Sequence, residues 1–102
     1  MIEITSKEEF EEEVLKVEET VLVDFYATWC GPCKMMTNVI QDVAVESDAK
    51  VVKVDIDRNP EIATKYGVLS IPTFMVFKNG ESVNYDVGVM PKENILKLIN
   101  KD

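Results

Sequence analysis

The sequence predicts an α/β protein of three layers, α/β/α, built on a central mixed five-stranded sheet, and three observations carry that prediction. Two β-rich runs, Val21 to Ala27 and Val51 to Ile56, are separated by one helical pattern, which makes a parallel βαβ unit with a right-handed crossover. Thr73 to Lys78, then Asn79-Gly80, then Ser82 to Val87 make an antiparallel hairpin, so the sheet is mixed. The chain of 102 residues, 46% of them hydrophobic, is the size of one ordinary domain with a single core, and no linker, repeat or low-complexity segment divides it. One domain over residues 1–102 is therefore expected, with element order β α β α β α β β α and four helices.

Taken in order, Ile2 and Ile4 alternate with Glu3 and Thr5 as a short edge strand does. Ser6 and Glu9 form a capping box, after which Phe10, Val14 and Val17 recur at helical spacing. The glutamates of this segment fill its outer face and read as a solvated surface. Val21 to Ala27 is almost continuously apolar, as expected of a central strand covered on both faces. From Pro32, which tolerates the first turn of a helix, Met35, Met36, Val39, Ile40 and Val43 form one stripe. Asn59-Pro60 reads as a cap with proline at the first helical position, and Gly67 as the left-handed stop of that short helix. Asn79-Gly80 suits a turn with two positive φ angles. Pro91 opens a last helix with Ile95, Leu98 and Ile99 on one side.

Charge narrows the function. With 19 Asp and Glu against 11 Lys and Arg the net charge is -8, which disfavours nucleic acid and anionic membrane as partners. Arg58 is the only arginine and no two basic residues are adjacent, so no phosphate-tracking stripe exists. No stretch approaches a membrane span, and the start of the chain turns acidic before a leader's apolar region forms, so an intracellular location is expected.

Both cysteines lie in Trp29-Cys30-Gly31-Pro32-Cys33, between a strand and the start of a helix. Helix N-termini present free N–H groups and positive dipole, which favour a thiolate, so the pair reads as a redox centre. Cys30, first in the helix, is expected to be the exposed nucleophile. Cys33, one turn on and facing inward, resolves the mixed disulfide. A structural zinc site lacks its other ligands, and haem attachment lacks the histidine, Lys34 standing in its place. No metal is expected, although a metal or iron–sulfur cluster shared between two chains stays open. A disulfide closing so small a loop restricts the unfolded chain little, which disfavours a purely structural role.

The segments Asp24 to Met35, Ile71-Pro72-Thr73 and Phe77-Lys78-Asn79-Gly80 together resemble the thioredoxin family, and the likeness runs along essentially the whole chain. The resemblance implies the thioredoxin fold and a general protein-disulfide reductase with no cofactor beyond the reversible Cys30–Cys33 disulfide. Gly31-Pro32 tunes the pair toward reduction, in keeping with a chain that has no histidine to stabilise the thiolate further. Asp24, the one ionisable residue in the central run, is either buried with a raised pKa or turned to solvent; the resemblance implies the former and makes it a proton carrier for Cys33. Lys53 matches the family's buried lysine beside that aspartate, its alternative being a strand-edge charge. Trp29, Ile71, Pro72, Val87 and Gly88 match a docking surface that reads substrate main chain, with Gly88 permitting close approach. An X-Pro bond is ordinarily trans, whereas the family has a cis proline at Pro72.

Implied partners are a thioredoxin reductase, drawing on NADPH or a ferredoxin, and disulfide-containing proteins. The protein itself is expected to be a monomer in the cytoplasm. A different class of reading makes the same surface a redox-independent binding module. Two departures stand out: Asn38 replaces a proline common inside the active-site helix, so a straighter helix is expected, and Tyr26 stands where a second tryptophan is common.

Overall fold

Val21-Leu22-Val23-Asp24-Phe25-Tyr26 is stable as a strand only where both faces are covered. It lies at the middle of the sheet in this computed structural model, which describes residues 1–101. This strand, β2 (Val21–Tyr26), pairs in parallel with β3 (Lys50–Asp55) and antiparallel with β4 (Thr73–Lys78). The three-residue β1 (Ile2–Ile4) adds in parallel beyond β3, and β5 (Glu81–Val87) adds antiparallel beyond β4, giving the order β1-β3-β2-β4-β5. The mixed sheet and its hairpin are as predicted, with a bulge between Val76 and Phe77.

Alternation along β2 sends Val21, Val23 and Phe25 to one face and Leu22 to the other. On the first face they pack with Phe10, Ile62 and Phe77; on the second Leu22 packs with Ile40, Phe74 and Ile95. The rings of Phe10, Tyr66 and Phe77 meet at centroid separations of 5.3 to 5.8 Å, two of the three contacts edge-on.

The first helix, α1 (Lys7–Phe10), starts at Ser6, whose Oγ accepts the Glu9 N–H at 3.0 Å. Glu9 reaches back one residue further than a simple capping box requires, accepting the Thr5 N–H at 2.6 Å. Beyond Phe10 the backbone widens into a π-helical segment, Glu11–Leu15, closed by the Lys16 N–H donating to Glu11 O at 2.9 Å. Val17 falls outside the helix and packs at the margin of the core.

The helix after Pro32 is not the single straight element expected. It divides at Met36 into α2 (Gly31–Met35) and α3 (Thr37–Glu46), which makes five α-helices among the described residues where four were expected. No proline causes the break. Met36 has ψ -6°, its N–H donates three residues back to Cys33 O at 3.1 Å, and its buried Sδ accepts the Met90 N–H at 3.5 Å. The buried thioether contact accompanies the local tightening that Asn38 was expected to relieve.

Asn59 also differs from expectation. Its side chain does not cap α4 (Pro60–Lys65); Nδ2 donates to Ile4 O at 3.2 Å and Asp55 O at 3.1 Å, tying the ends of β1 and β3 together. Gly67 takes φ 67° after that helix as expected. In the β4–β5 turn Asn79 and Gly80 have φ 51° and 77°. Gly80 is needed twice over, because a Cβ there would collide with the Leu15 carbonyl oxygen of the π-helical turn. The last helix, α5 (Lys92–Asn100), buries Ile95 and Ile99.

Candidate active site

β2 ends at Tyr26, and the chain turns so that the Cys30 N–H donates to Ala27 O at 3.2 Å. Cys30 then becomes the N-cap of α2, with Pro32 in the first turn where no N–H is required. The Cys33 N–H, one of the free donors of that turn, points at Cys30 Sγ at 3.1 Å. The two cysteines are joined as a disulfide with Cα atoms 5.3 Å apart. Gly31 has open space where a side chain would be.

Across from the pair stands the Ile71-Pro72 peptide bond, which is cis, not the ordinary trans isomer. Cys30 Sγ lies 3.9 Å from the Ile71 carbonyl oxygen. The Pro72 carbonyl accepts the Gly88 N–H at 2.9 Å, which fixes this loop to the end of β5. Gly88 has φ 100° and nothing near its absent Cβ, so glycine is required there by conformation and leaves an opening above it. Val87 beside it is exposed, Ile71 half-buried and Pro72 buried. Trp29 is 68% exposed, and its Nε1–H donates to Asp57 Oδ2 at 2.7 Å. The Asp57 N–H in turn donates to the buried Asp55 carboxylate at 2.9 Å.

One expectation is reversed. Cys30 is only 3% exposed, whereas Cys33 is half-buried. In the closed disulfide the Cys30 backbone is tied to the Ala27 carbonyl in the preceding turn and its Sγ faces the Ile71 carbonyl opposite, so exposure does not single it out. What does distinguish it is the hydrogen bond from the Cys33 amide, which Cys30 alone receives.

A second group is built on β2 and its neighbours. Asp24 is 6% exposed, and its Oδ1 has no hydrogen-bond partner. Burial pushes its pKa from 3.8 up to about 6, opposed by Lys53 and assisted by Glu3. Lys53, half-buried, places Nζ 4.3 Å from the centroid of the Tyr26 ring, and the Tyr26 hydroxyl donates to Glu3 Oε1 at 2.7 Å. The same burial and the Glu3 carboxylate raise the Tyr26 pKa.

The structure thus brings together Cys30, Cys33, Ile71 and Pro72, sets Trp29, Val87 and Gly88 around them, and places Asp24 with Lys53. Sequence reasoning missed Asp57, Glu3 and Tyr26 as partners in these groups. The Asp55-x-Asp57 pair at a strand end was the only local signal for the first, and no sequence signal links Glu3 to Tyr26. Among the described residues no cluster of three or more His, Cys, Asp or Glu is arranged to hold a metal, and no helix is long and apolar enough to cross a membrane.

A capped pair of cysteines that closes to a disulfide across from a cis-proline loop defines a protein of dithiol–disulfide exchange. The family model described as Thioredoxin matches residues 1–101. Over 95 residues the chain is 52% identical to the thioredoxin of Rickettsia bellii, spanning 91% of this chain and 90% of that one. It is 52% identical over 89 residues to a thioredoxin of Staphylococcus epidermidis, spanning 84% and 86% respectively. Among solved structures, a mutant thioredoxin from Halobacterium salinarum matches with a TM-score of 0.90 at 38% identity, covering 96% of this chain and 86% of that one. The chain belongs to the thioredoxin family and is a thiol-disulfide oxidoreductase.

Proposed function

We propose that the protein is a general reductant of protein disulfides in which Cys30 attacks and Cys33 resolves. The observation that carries this assignment is the Cys33 N–H aimed at Cys30 Sγ at 3.1 Å, since a fixed donor stabilises a thiolate on that sulfur. The Cys30 thiolate attacks one sulfur of a substrate disulfide, forming a mixed disulfide and releasing the other substrate sulfur as a thiolate. Cys33 loses its proton to Asp24, attacks Cys30 Sγ and expels the second substrate thiolate. Two electrons have then passed to the substrate and the Cys30–Cys33 disulfide is closed.

Asp24 suits the proton step because burial and an unpaired oxygen leave it with a pKa of about 6, close enough to neutrality both to take and to give up a proton. The proton passes from Cys33 to Asp24 through water. Lys53 tempers that affinity. Gly31-Pro32 offers the thiolate no extra partner, which keeps the dithiol a strong donor. Trp29, Ile71, Pro72, Val87 and Gly88 receive an extended substrate segment, with main-chain contacts at Ile71 giving breadth of substrate. The protein works as one domain and a monomer in the cytoplasm with no bound cofactor, and a thioredoxin reductase fed by NADPH or a ferredoxin returns its electrons.

The test is insulin reduction with dithiothreitol as donor, followed by turbidity. Catalytic amounts of the native chain accelerate precipitation, Cys30→Ser abolishes the acceleration, and Cys33→Ser accumulates an insulin adduct through Cys30. An adduct formed by Cys30→Ser in place of Cys33→Ser would reverse the roles.

A further inference from the structure

Glu3, Lys53 and Asp24 stand in one row across three neighbouring strands, because Glu3 is the register partner of Lys53 and Lys53 that of Asp24. Register partners project from the same face of a sheet, so the row sets one ammonium between two carboxyl groups. Asp24 is the more buried of the two, and Coulomb attraction is strongest where water is excluded. Lys53 and Asp24 nevertheless form no salt bridge among the described residues, and Asp24 Oδ1 has no partner. The ammonium lies instead over the Tyr26 ring, 4.3 Å from its centroid. Tyr26 projects from the same face of β2 two residues beyond Asp24, and its hydroxyl is held by Glu3 at 2.7 Å. Ring, ammonium and the edge-strand carboxylate form a closed arrangement that stops short of Asp24.

We propose that Glu3 and Tyr26 are positioning residues which hold the Lys53 ammonium on an aromatic face and off Asp24, so that Asp24 stays an unpaired base. The proposal rests on the reading of Asp24 as the proton carrier. A carboxylate locked in an ion pair would have to break that pair to accept the Cys33 proton. The seat keeps the positive charge near enough to temper Asp24 and too far to neutralise it. Other charges do not supply this function. The Asp55 carboxyl, also on β3, is engaged by the Asp57 amide and lies 3.9 Å from Arg58 Nε. The β4 neighbour of Asp24 is Phe74, and the charged residues of α2 and α3, Lys34, Asp42 and Glu46, are all exposed. Lys53 and Glu3 are the charges that act on Asp24.

The experiment is an NMR titration of the Asp24 side-chain carboxyl in the oxidised full-length chain, comparing native Lys53 with Lys53→Met. With Lys53 present, Tyr26→Leu lets the ammonium pair with Asp24 and lowers the Asp24 inflection by about one pH unit, the low end for an opposite charge brought within 4–6 Å. In the Lys53→Met background the same substitution moves it by less than half as much. Equal shifts in both backgrounds would mean that Tyr26 only excludes solvent, and an unmoved or raised inflection would mean that it seats nothing; either result overturns the proposal. Glu3→Gln, at an exposed position that leaves the core intact, gives the same comparison where Tyr26→Leu does not fold, with the larger downward shift again expected beside Lys53. Insulin reduction by the same variants separates the two readings: an Asp24 inflection that moves while the pH profile of the rate does not would remove the carrier role and leave the seat standing.

Discussion

Replacing Asp24 by Asn should remove one pH-dependent contribution to stability. The native carboxyl has a pKa of about 6 against 3.8 for an unburied aspartate, so between those values the folded chain binds more protons than the unfolded chain. Its unfolding free energy therefore falls as pH rises through that window, and the cost is fully present above about pH 6. A displacement of a little over two pH units corresponds to about 3 kcal/mol, at about 1.4 kcal/mol per unit. Asp24 is 6% exposed, so solvent screens little of this.

The Asn side chain has polar atoms of its own to satisfy, but that penalty does not vary with pH. The informative quantity is accordingly the difference between native and variant stability, measured by urea unfolding of the oxidised proteins from pH 3.5 to 8 with far-UV circular dichroism. The native chain should lose about 2.4 kcal/mol relative to Asp24→Asn between pH 4 and pH 7, the remainder of the span falling below pH 4, with almost no further change above pH 7. A difference that stays level across the range would show that Asp24 carries no raised pKa, and its part in proton transfer would fall with it. In the reductase assay the same variant should slow the resolving step and lose the inflection near pH 6 in the rate.

Two further outcomes concern the scaffold. Gly80→Ala forces a left-handed backbone on a residue with a Cβ and drives that atom into the Leu15 carbonyl, and should cost about 1–3 kcal/mol in urea unfolding; a neutral result would mean the π-helical turn yields freely. Phe77→Ala removes the ring that both Phe10 and Tyr66 meet edge-on and should cost about 3–5 kcal/mol, read from the same transition, while insulin reduction at low temperature is retained.

Much of this architecture was legible because it is written in local chemistry. The turn at Asn79-Gly80 has the two positive φ angles that its residue types favour, and the apolar run from Val21 has the central place that only double coverage allows. Cys30 and Cys33 declared the site through spacing and position. The division at Met36 was hidden because no proline or glycine marks it, and its tightened turn is tied to a thioether contact with Met90, 54 residues away. Asn59 looks like a helix cap from its neighbours, yet its amide is taken by the carbonyls of Ile4 and Asp55. The order of exposure of the two sulfurs and the isomer at Pro72 depend on what lies opposite, which spacing alone does not encode. The link from Glu3 to Tyr26 exists only once β1 and β2 are placed on either side of β3.

The margins of the sheet bear on how such a molecule survives at high concentration. If substrate main chain docks on this surface as proposed, the molecule also risks capturing copies of itself, and open strand edges are where that begins. Here one margin is three residues long, and the other, β5, is interrupted by the bulge in its pairing with β4. With a net charge of -8 on every copy, like molecules also repel before their edges can meet. The proposed docking of foreign strands would thereby be kept apart from self-association.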